Sequence, residues 1–333
     1  MTIEKTYFVG AGASKAFCPS LPLASEATLE FLLDLRGPES SLDQAADNVK
    51  RYMVDQRWSK DKHLAIFEKV YLEFPEKLEP FYPRENLLLC LCEKLRLPDN
   101  VGGPGAWVRA CLDSNHPVLT TNYDTLIEWQ VENFGSTSHL FGNSGILDYG
   151  VPDRLCVPLA SADPERGGMN NKLLLLKLYG SVSWSRCDEN ACRKYLLDAV
   201  YEHGARAAIT GRGKCPSCEG TRRDAVFVPL VGQKSPNDTA LKAIWKEAER
   251  VLSESREIIF AGFSLSPDDQ NIRDLLKRAL ADGHTSKVTV VLHRRDPETI
   301  ERYREIYGDR MESYESGWVE YLRERNLARS SRY

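Results

Sequence analysis

The chain has 333 residues, 42% hydrophobic and 28% charged, enough for a sizeable core with one or two insertions. Its formal net charge of −4 is too small to select a partner and does not indicate nucleic acid. No apolar run has membrane-spanning length, and Met1 to Phe17 lacks a basic-then-apolar signal pattern, so no membrane role and a cytoplasmic location are expected.

Taken in order, Tyr7-Phe8-Val9 reads as a buried strand running into the small-residue turn Gly10-Ala11-Gly12-Ala13-Ser14. A long helical stretch follows from about Ala24 to Leu112, with breaks at Pro75, Pro80, Pro83 and Val101 to Gly105. Val118-Leu119-Thr120-Thr121-Asn122-Tyr123-Asp124 is a strand with an amide and a carboxylate at its tip, followed by a helix at Thr125 to Trp129. Gly135 to Gly168, rich in Gly, Ser, Asn, Asp and Pro, reads as loops able to gate a cleft. Lys172 to Trp184 is an apolar run long enough for a buried strand that delivers Tyr179 at its end. A cysteine-bearing insertion spans about Ser185 to Arg223, and Val226 to Val231 is expected to return the chain to the sheet. Helices at Thr239 to Ser253 and Asp269 to Ala281 flank the buried strand Glu257 to Ala261, which closes on Gly262-Phe263-Ser264-Leu265. A last strand at Lys287 to Leu292 and a helix at Pro297 to Tyr307 close the domain. Strands alternating with helices predict an α/β, Rossmann-like parallel sheet with helices on both faces.

Four units share one pattern, a buried strand followed by a polar tip. In open α/β sheets such tips converge on the ligand crevice outside the carboxyl ends of the strands. The turn Gly10 to Ser14 lets backbone approach a phosphate closely, although Lys15 stands where a third fingerprint glycine would fall and no acidic ribose partner is evident about 20 residues on. Asn122 and Asp124 share a face if the strand continues, and less securely if it turns. They can equally cap the following helix, a common use of both residues.

Cys187, Cys192, Cys215 and Cys218 are spaced C-x4-C and C-x2-C with twenty-two residues between the pairs. Two such pairs can present four thiolates tetrahedrally with no open position, which predicts a structural Zn2+ site. An odd total of nine cysteines, four with metal spacing, favours a reducing compartment over a disulfide framework. Cys18, Cys90, Cys92, Cys111 and Cys156 read as small core residues.

The order of these motifs resembles the Sir2 (sirtuin) superfamily, and its bacterial Sir2-like branch in particular, over most of the chain. Gly10-Ala11-Gly12-Ala13-Ser14 is similar to the family's phosphate loop, and Thr121-Asn122-Tyr123-Asp124 to its catalytic N-x-D segment. Leu178-Tyr179-Gly180-Ser181 occupies the place of the His-Gly motif. The four cysteines follow where sirtuins carry a zinc ribbon, and Gly262-Phe263-Ser264-Leu265 resembles the G-[TY]-S-L segment that holds phosphates and ribose.

The resemblance implies NAD chemistry, in which the nicotinamide–ribose bond breaks and ADP-ribose passes to water or, in deacylases, to an acyl-lysine. Asn122 would position the attacking water or the nicotinamide ribose, and Asp124 would orient the amide or carboxamide. Gly10, Ala11, Gly12, Ser14, Thr121, Gly262 and Ser264 would contact the cofactor. The expected activity is that of an NAD hydrolase acting as an anti-phage defence effector; the alternatives are a catalytically degenerate NAD or ADP-ribose binding module and a protein deacylase. A free-running NAD-consuming enzyme is toxic, so a homo-oligomer or partner-regulated assembly is expected. The implied division is a Sir2-like Rossmann domain at 1–23, 113–184 and 224–325, a helical insertion at 24–112, a zinc ribbon at 185–223 and a tail at 326–333.

The departure from the family lies at Tyr179, where sirtuins use histidine as general base. A free tyrosine has a pKa of about 10 and stays protonated at neutral pH, whereas histidine near 6.5 is poised to accept a proton. His116 should lie at the wrong end of the sheet. His139 reads as a surface residue, and His293, ending the last apolar run, falls where adenosine contacts are plausible.

Overall fold

The computed structural model describes residues 2–23, 25–34, 40–57, 70, 73–74, 83–95, 97, 105–134, 147–156, 172–187, 189, 191–197, 214–215, 217–220, 223–227 and 238–327. Strand β1 (Ile3–Val9) is followed by α1 (Ala11–Phe17), then by α2 (Leu29–Leu33), α3 (Ser40–Asp55), α4 (Pro83–Lys94) and α5 (Ala106–Asp113). Next come β2 (Val118–Thr120), α6 (Leu126–Phe134), β3 (Leu147–Asp148), β4 (Leu173–Lys177), β5 (Gly180–Cys187), β6 (Tyr195–Leu197) and β7 (Arg223–Phe227). The remainder is α7 (Thr239–Glu254), β8 (Ser255–Ala261), α8 (Gln270–Ala281), β9 (Lys287–Val291), α9 (Pro297–Tyr307), β10 (Met311–Tyr314) and α10 (Trp318–Glu324).

Seven strands form a sheet in the order β10-β9-β8-β1-β2-β4-β3, and every pairing in it is parallel. From β1 the chain proceeds to β2 on one side; from β8 it proceeds to β9 and β10 on the other. The topological switch point therefore lies between β1 and β8, where open α/β sheets bind ligands.

Adjacent strand residues point to opposite faces, and in β1 both faces are buried. Tyr7 packs on Trp107 of α5 and Trp318 of α10, at 5.9 and 6.1 Å between ring centroids. Phe8 packs on Phe260 and Phe263 at 5.2 and 4.9 Å. Phe260 packs in turn on Tyr303 of α9 at 4.7 Å, so helices cover the sheet on both sides, as the strand–helix alternation predicts. No helix among the described residues is long and apolar enough to cross a membrane.

Three segments depart from the sequence reading. The Lys172 to Trp184 run holds the expected buried strand, β4, just before Tyr179, and a second one beyond it: the chain turns at Gly180 with φ +82°, and β5 joins a separate antiparallel sheet ordered β6-β5-β7. Hydrophobicity alone does not register this turn, because both strands are buried. The return to the main sheet expected at Val226 is instead β7 pairing with β5, and residues 228–231 lie outside the described residues. Beyond Tyr307 the chain adds β10 at the sheet edge and α10 over the Tyr7 face, elements the aromatic spacing of Tyr314, Trp318 and Tyr321 does not reveal by period. Most of the loops expected at Gly135 to Gly168, and His139 with them, lie outside the described residues.

Candidate functional site

The tips of β1 and β8 are in direct backbone contact. Gly10 N–H donates to Ala261 O at 2.8 Å and Gly12 N–H to Gly262 O at 3.0 Å. A Cβ on Gly10 would stand 2.5 Å from Gly262 O; one on Gly262, whose φ is +62°, would stand 2.1 Å from Ala13 N. The glycines are thus required by the approach of two loops to each other. Since the N–H groups of Gly10, Gly12 and Ala13 are all bonded within the protein, backbone donors for a phosphate are fewer than the turn's sequence suggests.

The tip of β2 is sewn to β1. Thr120 Oγ1 donates to Val9 O at 2.7 Å and accepts from Asn122 N–H at 3.0 Å. Asn122 Nδ2 then donates to Ser14 Oγ at 2.9 Å, with both side chains nearly inaccessible. The strand ends at Thr120, so Asn122 and Asp124 do not share a face. The Asp124 carboxylate accepts from Leu126 N–H at 3.0 Å and so supports the start of α6, the ordinary capping role, while Asn122 faces the phosphate loop. Thr121 is buried beside them.

The Tyr179 turn is held against the same loop. Leu178 N–H donates to Thr120 O at 2.9 Å, Val182 N–H to Tyr123 O at 3.0 Å and Ser181 Oγ to Tyr123 O at 3.3 Å. Trp245 of α7 donates from Nε1 to Leu178 O at 2.7 Å, and its ring lies 5.9 Å from that of Tyr179. Tyr179 is fully buried; burial, with the charge of Asp269 adding to it, raises its phenol above the usual tyrosine value. It remains a neutral hydrogen-bonding group through the physiological range.

Lys177, in the residue pair preceding Tyr179, is buried, donates to Asp124 O, and pairs with Glu128 Oε1 at 2.9 Å. Burial raises the Glu128 carboxyl above the ordinary range, against the pull of Lys177. Sequence reading passes over Lys177, because a charge within Leu173 to Leu178 looks like an interruption. It also passes over Thr120 and Asp269.

Ser264 is exposed at the rim beyond Gly262, and its carbonyl accepts from Arg302 Nε at 3.2 Å. The structure therefore brings Gly10 to Ser14, Asn122, Gly262 and the Tyr179 turn together at the carboxyl ends of β1, β2, β4 and β8. His116 lies at the opposite end, 6.4 Å from the Tyr7 ring and before β2, as expected.

The Sγ atoms of Cys187, Cys192, Cys215 and Cys218 all lie within 4.8 Å of one another, with Cys187–Cys218 at 3.5 Å and Cys192–Cys215 at 3.7 Å. Those separations are too long for disulfides and match the edge of about 3.8 Å that four bonds of about 2.3 Å to a tetrahedral zinc produce. Knuckle bonds shape the turns, with Cys215 N–H to Gly220 O at 2.8 Å and Cys192 N–H to Glu189 O at 2.9 Å. Burial works against ionisation of Cys215, but N–H groups of Ser217 and Cys218 bring its thiol down to about 7. The donor set fits a closed, structural thiolate site with no position left for chemistry.

A family model described as "SIR2-like domain" matches residues 116–311, a span that includes Asn122, Tyr179, the four cysteines and Ser264 but not Gly10 to Ser14. No curated protein matches the chain. Among solved structures, a Sir2 homologue mutant in complex with ADP-ribose is 15% identical, covering 98% of this chain and 92% of that one with a TM-score of 0.45. A Sir2 in complex with an inhibitor, 2′-O-acetyl-ADP-ribose and a deacetylated peptide is 14% identical, covering 98% and 95% with a TM-score of 0.41.

Proposed function

The chain belongs to the SIR2-like domain family, and from that premise we propose that it breaks the nicotinamide–ribose bond of NAD and passes the ADP-ribosyl unit to water. The observation that carries the reading is the Asn122–Ser14 hydrogen bond at 2.9 Å, which joins the proposed catalytic amide to the proposed phosphate loop at the switch point. A dinucleotide laid across the strand ends would put its diphosphate near Ser14 and Ser264, its nicotinamide ribose near Asn122 and Tyr179, and its adenosine over β8 and β9. Gly10, Ala11, Gly12, Thr121 and Gly262 would shape the floor.

Cleavage of this glycosidic bond builds an oxocarbenium-like charge, and fixed dipoles aimed at it provide most of the stabilisation. Asn122 is held to one orientation by Ser14, so it would place the ribose or the attacking water at little reorganisation cost. Tyr179, neutral and buried, would donate or accept a hydrogen bond without removing a proton. Base catalysis typically contributes about 10²–10⁴-fold, so its loss leaves a slow hydrolase. Asp124 would act through the shape of its loop, since its carboxylate supports α6. When bound, Zn2+ would be held by Cys187, Cys192, Cys215 and Cys218 and would supply folding energy alone. The domain division is proposed as 1–23, 113–184 and 224–325 for the Sir2-like unit, 24–112 for the helical insertion and 185–223 for the metal module.

Slow turnover under control of an oligomer or a partner suits a cytoplasmic anti-phage defence effector that depletes NAD. The burial of Tyr179 favours one other reading, a module that binds NAD or ADP-ribose without cleaving it. Incubation of the metal-replete protein with NAD separates them. The hydrolase reading expects nicotinamide and ADP-ribose in equal amounts; binding with no release establishes the binding module, and release that requires an acylated peptide establishes a deacylase.

A further inference from the structure

Strand β2 ends at Thr120, so the backbone of Thr121 to Asp124, which carries Asn122, lies beyond the β-ladder and needs other partners. They come from the segment that carries Tyr179. Leu178 N–H donates to Thr120 O, and Tyr123 O accepts from Val182 N–H and Ser181 Oγ. The carbonyl of Asp124 is taken by a side chain, the ammonium of Lys177, the last residue of β4. The same Nζ donates at 2.9 Å to Oε1 of Glu128, in the first turn of α6.

Stability alone accounts poorly for this arrangement. Both side chains are 1% exposed, and a buried ion pair does little better, and often worse, than apolar groups of the same volume. Glu128 Oε2 makes the exchange less favourable still: among the described residues it has no hydrogen-bond partner, so the carboxylate is desolvated and only half satisfied. What the ammonium supplies is a fixed geometry. One nitrogen joins the end of β4, two residues before Tyr179, to the loop two residues after Asn122 and to the helix that follows. Ser14 sets the direction of the Asn122 amide, and Lys177 fixes the backbone from which that amide projects.

We propose that Lys177 is a positioning residue for cleavage of the nicotinamide–ribose bond, holding the Asn122 loop in register with the Tyr179 turn through its bonds to Asp124 O and Glu128 Oε1. This rests on the hydrolase reading given above and adds to that site a residue that touches no substrate. A misplacement of about 1 Å at a reacting group can cost about 10²-fold in rate, which is the scale on which such a tether acts.

The test compares the parent with K177M/E128L, which leaves neither charge buried alone, in nicotinamide release at saturating NAD and in titration with ADP-ribose. The double variant should turn over about 10–100-fold more slowly while ADP-ribose binds within about twofold of the parent, a split that a general loss of structure does not produce. N122A should slow the parent at least about tenfold but cost the double variant less than about threefold, because both changes remove one contribution. E128Q has the same shape and still accepts from Nζ, so its turnover should stay within about threefold of the parent; it reads the role even where the double variant does not fold. A folded double variant as fast as the parent, a full further loss on adding N122A, or an E128Q protein slowed about tenfold or more overturns the positioning role and leaves the hydrolase reading standing. No nicotinamide from the parent overturns both.

Discussion

Asn122 Nδ2 donates to Ser14 Oγ over 2.9 Å, joining the ends of two neighbouring parallel strands through side chains 108 residues apart. Both groups are nearly inaccessible, so the bond is made in low dielectric, where leaving one partner alone costs more than removing both. The stabilities of Ser14→Ala, Asn122→Ala and the double variant should therefore be non-additive, with a coupling of about 0.5–2 kcal/mol in denaturant melts. Additive losses would mean that the two residues do not act as a unit.

Tyr179 stays protonated because burial pushes its phenol upward. Any nicotinamide release by the parent chain should therefore be flat across the range where a histidine base titrates, about pH 6–7.5. Tyr179→His should be faster at pH 8, and its rate should climb as pH rises through the imidazole pKa, because only the neutral ring accepts a proton. An unchanged flat profile in that variant would remove position 179 from the chemistry.

Lys177 and Glu128 are each 1% exposed and 2.9 Å apart, beneath the Asp124 loop. Removing one partner strands a buried charge and typically costs about 3–5 kcal/mol, whereas replacing both with apolar groups of similar size is often neutral. Lys177→Met should thus destabilise far more than Lys177→Met with Glu128→Leu. Thermal melts of both variants and the parent decide it, and equal losses would show that the pair carries no mutual dependence.

The metal module reaches the site through β5, which runs from Gly180, next to Tyr179, to the ligand Cys187. Asp238 braces the same unit: it accepts from Arg186 Nη1 at 3.0 Å and Tyr195 Oη at 2.9 Å while capping α7 through Ala240 N–H at 2.9 Å. Elemental measurement should find one zinc per chain, and chelation should lower the melting temperature. Thiols bind metal as thiolates, so affinity should fall as pH is lowered and protons compete with the metal for the four sulfurs. Cys215→Ser protein with a full complement of zinc would contradict the assignment.

How much of this is legible in the sequence depends on whether the deciding force is local. The main strands, α7, α8 and α9 announce themselves by their apolar periodicity, because that pattern is local. The cysteine spacing yields a cluster for the same reason, since knuckle turns are short. Three features are not local. The turn at Gly180 separates two equally buried strands, so hydrophobicity runs through it unmarked. The meaning of Gly262 comes from Ala13, 2.1 Å from where its Cβ would stand and 249 residues earlier. The divergence of Asn122 from Asp124 depends on β2 ending at Thr120, which is fixed by Val9 across the sheet.

The central claim is that the tips of β1, β2, β4 and β8 form one dinucleotide crevice, and amide hydrogen exchange with and without NAD tests it most directly. Slowed exchange should appear in all four tips, at Gly10 to Ser14, Thr121 to Tyr123, Tyr179 to Ser181 and Gly262 to Leu265, and should be lost in the Asn122→Ala protein. Protection confined to a different face, or none at saturating NAD, would contradict it.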